Sequence, residues 1–223
     1  MTNSKIQHEA WTQGGAADEY FQRNREALNG EMPPSRSLKL FASYVQPGQR
    51  ILEIGSANGH QLNGLCHLTG CEGFGIDPSP EAIRDGAAQY PSLGLSVGSA
   101  EKLDFPNEYF DAVIFGFCLY LVDRSLLPQV VAEADRVLRG GGKLMITDFD
   151  PPIPLCRPFI HRPGLWSYKM QYPALWLANP AYVLAEKVAF SHHGETWHPD
   201  PNERVASWVL VKAETTAYSE SEK

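Results

Sequence analysis

The stretch Glu53-Ile54-Gly55-Ser56-Ala57-Asn58-Gly59-His60 places an acid ahead of a turn built on two glycines. Asp77 follows about 20 residues later, the distance at which a strand-end carboxylate can accept both ribose hydroxyls of a nucleoside. Gly55 and Gly59 let the backbone bend sharply and approach a ligand with no Cβ in the way. The glycine turn alone is a weak signal. Joined to the acid it points to a nucleoside ligand. A dinucleotide fingerprint would want glycines at 55, 57 and 60, where this chain has Ala57 and His60. The imidazole at 60 would disturb the close strand–helix packing that a glycine there permits, so NAD is disfavoured.

These residues need a scaffold, and the apolar pattern supplies one. Arg50 to Ile54, Gly73 to Asp77, Gly94 to Val97, Tyr109 to Phe117 and Lys143 to Asp148 are short apolar runs of the kind that form buried parallel strands. Ser56 to Leu68, Pro80 to Tyr90 and Leu126 to Leu138 carry helical spacing between them. Pro80 behind Ser79 starts the second helix, and Arg139 with Gly140, Gly141 and Gly142 reads as the stop of the third. Strand and helix in alternation predict an α/β fold, a Rossmann-like three-layer sandwich with a mostly parallel sheet. Tyr182 to Phe190 and Arg204 to Val211 add two late strands, one of them antiparallel near the C-terminus. Ligands of such sheets bind outside the carboxyl ends of the strands, where Glu53, Asp77, Phe117 and Asp148 fall.

At 223 residues the expectation is a single domain over 1–223 with a self-sufficient core. Residues 1–45 read as a helical leading segment, clearest over Ser35 to Tyr44, and Thr215 to Lys223 as a frayed end. Residues 150–180 break the rhythm with seven prolines and the aromatics Trp166, Tyr168, Tyr172 and Trp176. Four cysteines without a Cys-x-x-Cys do not make a disulfide framework or a zinc site, so a cytoplasmic chain with reduced thiols and no metal is expected. No leader and no membrane span are expected, since the start is polar and the longest apolar run, Ala112 to Val122, is well short of the ~20 residues a bilayer needs. The formal net charge of −7, with no basic stripe, disfavours nucleic acid as a partner.

Four blocks between Leu38 and Asp148 together resemble the class I S-adenosylmethionine-dependent methyltransferases. Ile51 to Gly59 is similar to the family's acid-x-Gly-x-Gly-x-Gly loop, with Ala57 at the middle glycine. Gly75-Ile76-Asp77-Pro78-Ser79 resembles its ribose-binding strand end. Gly98-Ser99-Ala100-Glu101-Lys102-Leu103 resembles its adenine turn, with Ser99 where the family usually has an aspartate. Phe110 to Ile114, then Arg136 to Gly142, resemble its fourth strand and the junction after the following helix.

The resemblance implies S-adenosylmethionine as cofactor and a role for each matching residue. Gly55, Ser56 and Gly59 would approach the methionine and sugar, and Glu53 would orient the ammonium. Asp77 would bind the ribose hydroxyls with Pro78 against the adenine face. Ser99, Ala100 and Glu101 would frame the adenine, the Ser99 hydroxyl accepting less strongly than a carboxylate. Phe115, Gly116 and Phe117 would meet the methionine end, with Tyr20 reaching over it and His60 along the cofactor.

The activity implied is methyl transfer to a small molecule, with a hydroxyl acceptor (a sugar, nucleotide sugar or natural-product intermediate) ahead of an amine or protein acceptor. A non-catalytic binder and a nicotinamide oxidoreductase are the competing classes. Candidates for a general base are Asp148, His60 and Tyr120, with His192 and His193 behind them. Asp148 is the best placed, at the carboxyl end of the fifth strand. The aromatic stretch 150–180 reads equally as a substrate cap and as a homodimer contact, with Arg157, Arg162 and Lys169 available to an anion.

Overall fold

A computed structural model describes residues 4–29, 35–192, 194 and 196–214. Seven strands form one sheet: β1 (Arg50–Ile54), β2 (Glu72–Asp77), β3 (Gly94–Val97), β4 (Phe110–Gly116), β5 (Leu138–Phe149), β8 (Tyr182–Ser191) and β9 (Arg204–Lys212). Their order is β3-β2-β1-β4-β5-β9-β8. β1 to β5 run parallel, and β9 pairs antiparallel with both β5 and β8. The expected mostly parallel sheet with a late antiparallel strand is what the chain forms.

Alternation along the strands divides the core. On one face Ile51, Ala112, Ile114, Met145 and Val209 pack with Leu62 and Leu65 of α4 (His60–Thr69) and Leu40 and Phe41 of α3 (Arg36–Ala42). On the other, Leu52, Val113, Phe115, Leu144 and Ile146 meet Val130, Ala134 and Val137 of α6 (Leu127–Val137). Each fully buried aliphatic of this kind is worth about 2 kcal/mol of transfer free energy. Ser79 caps α5 (Pro80–Gln89): its hydroxyl accepts the Ala82 amide at 3.0 Å, with Pro80 in the first turn.

Two boundaries differ by four residues or more from the sequence pattern. β5 begins at Leu138 rather than Lys143, because Leu138 pairs with Phe110 and Gly141, at φ 72°, carries the chain through an irregularity without leaving the sheet. α4 begins at His60, since Ser56 to Gly59 is consumed by the turn, and Gly59 at φ 78° is its N-cap.

The leading segment forms α1 (Ser4–Thr12) and α2 (Ala16–Asn29) besides α3. Residues 150–180 do not supply a crossover helix. They form a hairpin, β6 (Leu155–Pro158) with β7 (Trp166–Lys169), and one helical turn, α7 (Ala174–Leu177). Trp176 and Tyr172 of this stretch are fully buried, Trp176 at 5.6 Å from the Phe115 ring. Its cations are already engaged: Arg162 donates to the Gly14 carbonyl and pairs with Glu19, and Lys169 is buried over the Phe149 ring. Of the three cations expected to be available to an anion, these two are engaged within the protein, and Arg157 is exposed. His193 and residues 215–223 lie outside the described residues.

Candidate active site

The turn after β1 hangs from the neighbouring strand. The amides of Gly55 and Ser56 both donate to the Ile76 carbonyl, at 2.8 and 3.0 Å. Gly55 has φ 75°, and a Cβ there would lie 2.7 Å from the Cys118 Cβ, so only glycine passes. Ala57 adopts φ 49°, the left-handed region a glycine would take freely. Its amide is used directly, donating to Asp77 Oδ2 at 2.9 Å, while Asp77 Oδ1 accepts from Ser79 N at 2.9 Å. Withdrawal from water pushes the Asp77 carboxyl up to about 6 against the pull of these two amides.

Above this edge lies a cavity of about 290 Å³. Glu53, Gly55, Ser56, Asp77, Pro78, Ser99, Ala100, Glu101, Phe117 and Tyr20, all named from the sequence, line it. Its wall carries buried polar atoms with no partner among the described residues: Glu53 Oε2, Ser56 Oγ, Asp123 Oδ2 and the Trp11 indole nitrogen. Native interiors leave few such groups, and each is costly unless a ligand or water completes it. Burial, then the neighbouring Asp77 charge, pushes the Glu53 carboxyl up to about 8. A cation placed beside it would reverse that shift. Gly116 makes room for the carboxyl, since a Cβ there would meet Glu53 Oε1 at 2.9 Å. At the far end the Ser99 hydroxyl donates to Glu101 Oε1 at 2.5 Å, and His8 Nε2 stands 3.6 Å from the same oxygen. The pair leaves acceptor oxygens where the family's aspartate would be, and these donors and acceptors fit an adenosyl group carrying a cationic amino-acid tail.

Five of the expected site residues do not line the cavity. Phe115 is fully buried on the α6 face, because it shares the parity of Val113; Phe117 escapes that alternation only by its φ of 58°. His60 is turned to Tyr90, its Nδ1 3.2 Å from the phenol oxygen, and does not line the cavity. Gly59 packs under Leu93 and Leu95 instead of facing the ligand space. Asp148 is fully buried and bound to the backbone, Oδ1 accepting from Phe149 N at 2.7 Å and Oδ2 from Tyr120 N at 3.3 Å. It braces the loop after β4, and its carboxyl, pushed up to about 7 by burial, faces no open space.

Tyr120 is also buried, hydrogen-bonded to the Tyr20 hydroxyl and 6.0 Å from the Phe117 ring. Burial raises both phenols, holding them protonated. His192 is exposed, with its ring 5.4 Å from Phe117 at the same edge.

Sequence reasoning missed His8, Gln61, Cys118 and Asp123, which line the cavity together with Trp11 of the leading segment. His8 and Trp11 arrive by the docking of α1, whose partners no local pattern specifies. A second cavity of about 280 Å³ opens on the α3–α4 face and shares Glu53, Gln61, Gly116 and Phe117 with the first.

Comparison with known proteins agrees with this geometry. Residues 52–146 match the family model described as a methyltransferase domain. Over 120 residues the chain is 31% identical to the ubiquinone/menaquinone biosynthesis C-methyltransferase UbiE of Vibrio campbellii, which covers 50% of this chain and 45% of that protein. The chain thus spans about half the length of the curated relatives it matches. The crystal structure of the 1,6-didemethyltoxoflavin-N1-methyltransferase of Burkholderia thailandensis, with 1,6-didemethyltoxoflavin and S-adenosylhomocysteine bound, superposes with a TM-score of 0.69 at 13% identity. It covers 88% of this chain and 85% of that one. A SAM-dependent methyltransferase of Methanosarcina mazei gives a TM-score of 0.65 at 18% identity, over 79% and 98%. No helix among the described residues is long and apolar enough to cross a membrane. Residues 52–146 of this chain thus match a methyltransferase domain, within a fold shared with SAM-dependent methyltransferases of known structure.

Proposed function

We propose that this chain binds S-adenosylmethionine in the larger cavity and catalyses methyl transfer to a small-molecule acceptor. The observation that carries this is the set of buried, unpartnered atoms around one space, Glu53 Oε2 above all. Glu53 would hold the cofactor's ammonium, Asp77 its ribose hydroxyls, and Ser99 with Glu101 the adenine edge. Bound there, the cofactor supplies a methyl group on a sulfonium that needs no further activation. The protein's share is alignment and exclusion of water. α1 and α2 close the space, with Trp11 packed on both Tyr20 and Phe159, at 6.1 and 5.9 Å. We read α1, α2 and the β6–β7 hairpin together as the cap over the acceptor.

Of the expected bases, Asp148 and His60 do not reach the cavity and Tyr120 is held protonated, which leaves Asp123, on the wall with Oδ2 unpartnered, as the group that would serve a hydroxyl acceptor. An acceptor that is nucleophilic on arrival, a phenolate or the electron-rich ring carbon of a phenol or enol, needs no such base. The name of the Vibrio relative, a C-methyltransferase of quinone biosynthesis, agrees with a carbon acceptor. We further expect a cytoplasmic chain.

Calorimetric titration with S-adenosylhomocysteine and NAD tests the cofactor assignment. The homocysteine compound is expected to bind and NAD to leave the protein silent. Asp77→Ala is expected to weaken that binding at least tenfold, about 1.4 kcal/mol, by removing charge-assisted bonds to the ribose. Unchanged affinity in the variant overturns the assignment.

A further inference from the structure

Cys66 sits in the last turn of α4, and Cys71 immediately precedes β2. Their sulfurs are 2.9 Å apart and share a hydrogen bond. Two glycines impose this approach. Gly70, at φ 73°, reverses the chain at the helix C-cap, its amide bound to the Cys66 carbonyl at 2.8 Å. Gly73 lets β2 pass against the first sulfur, since a Cβ there would lie 2.7 Å from Cys66 Sγ. Both thiols are half-buried, so a small reagent reaches them while bulk solvent does not surround them. Of the other two cysteines, Cys118 lines the ligand cavity with its thiol donating to the Ile54 carbonyl, and Cys156 is exposed on the hairpin.

We propose that Cys66 and Cys71 are a dithiol–disulfide couple, a site of reversible oxidation by low-molecular-weight disulfides such as glutathione disulfide. Cys71 is the attacking group, because the hydrogen bond from Cys66 draws its thiol down to about 7, into the range where the thiolate is populated. Its thiolate attacks one sulfur of glutathione disulfide, forming a mixed disulfide and expelling one glutathione thiolate. Cys66 then loses its proton and attacks Cys71 Sγ, expelling the second glutathione and closing the Cys66–Cys71 bond. The protein loses two electrons and two protons, and one glutathione disulfide becomes two glutathiones.

The bond would join the C-terminal end of α4 to the start of β2. Ten residues of helix, about 15 Å at 1.5 Å per residue, separate that end from the glycine turn. Ligand binding is therefore expected to be the same in both redox states.

The test is mass spectrometry of the folded protein after incubation with glutathione disulfide, denaturation and labelling with N-ethylmaleimide. The tryptic peptide 51–84 contains both residues. It is expected to be unlabelled, lighter by two hydrogens, and labelled twice after dithiothreitol. In Cys66→Ser the same peptide is expected to carry one glutathione, because the resolving thiol is gone. A wild-type peptide that stays fully labelled, or that stops with glutathione on Cys71, overturns the proposal. So does an oxidised protein whose affinity for S-adenosylhomocysteine falls tenfold, since the bond would then reach the cavity.

Discussion

Gln7 and Trp166, 159 residues apart, exchange two hydrogen bonds as a pair of β-strand residues would. The Gln7 amide nitrogen donates to the Trp166 carbonyl at 3.1 Å, and the Trp166 amide donates to Gln7 Oε1 at 3.0 Å. The same Gln7 nitrogen reaches the Leu121 carbonyl at 2.7 Å. One buried side chain therefore ties α1 to the hairpin β6–β7 and to the loop after β4, three parts of the cavity's surround.

Removing that side chain takes the partner from the part-buried amide and carbonyl of Trp166 and from the buried Leu121 carbonyl. Gln7→Ala is expected to cost about 2 kcal/mol or more of stability. A urea titration would show a lowered midpoint at unchanged slope. Hydrogen exchange should rise first in α1, and affinity for S-adenosylhomocysteine should fall, because His8 and Trp11 line the cavity from the same helix. A variant with a wild-type midpoint would show that α1 is held by other contacts.

Gly86 in α5 faces the glycine turn so closely that an added Cβ would lie 2.2 Å from the Asn58 carbonyl oxygen and 2.6 Å from Leu95. Backbone cannot yield as a flexible side chain can. Gly86→Ala is expected to destabilise by about 3 kcal/mol, despite alanine's better helix propensity. Thermal unfolding read by circular dichroism checks this; an unchanged or raised midpoint would mean that α5 can shift outward freely.

Glu53, Asp77 and Asp148 all have carboxyls raised by burial, to about 8, 6 and 7. An acid whose folded pKa exceeds its unfolded one binds more protons when folded. The ligand-free protein is therefore expected to lose stability as pH rises from about 4 to about 8. A cationic ligand beside Glu53 would draw that carboxyl's proton off. Binding of S-adenosylmethionine at pH 7 is expected to release close to one proton, read as a dependence of calorimetric heat on buffer ionisation enthalpy. Glu53→Gln should abolish the release. Proton release that persists in the variant would move the titrating group elsewhere.

The carboxyl edge of the sheet is legible in the sequence because each buried parallel strand is an apolar run that ends in a polar residue. Glu53 and Asp77 are found that way, Ser99 and Glu101 only through the resemblance of the turn Gly98 to Leu103, and all four line the cavity. The same reasoning fails at Phe115 and Asp148. Strand-end position does not say which face a side chain takes, and only parity with Val113 and Ile146 assigns both to the core side. His60 misleads for a related reason: it follows the turn in sequence but begins a helix, whose first side chain points to Tyr90. Of the N-terminal contribution the sequence shows a helical leading segment with Tyr20 over the site, and not the partners on which it docks. Gln7, His8 and Trp11 act through partners about a hundred or more residues away, such as Glu101 and Leu121. The reduction of the segment between β5 and β8 to a hairpin and one helical turn is foreshadowed by the prolines of 150–180, although their pattern does not specify a hairpin.

The sheet order has a consequence for how the chain reaches this state during synthesis. β9 is flanked by β5 and β8, both made earlier, and Val205 to Leu210 are almost wholly buried between them. Until residue 212 has left the ribosome, β5 ends in an unpaired edge and β8 has no neighbour in the sheet. Pairing Lys143 with Val211 closes a long loop, an entropically slow step that comes late. Nascent chains stalled before Arg204 would expose two apolar strand edges, the species that chaperones capture and that aggregates otherwise nucleate.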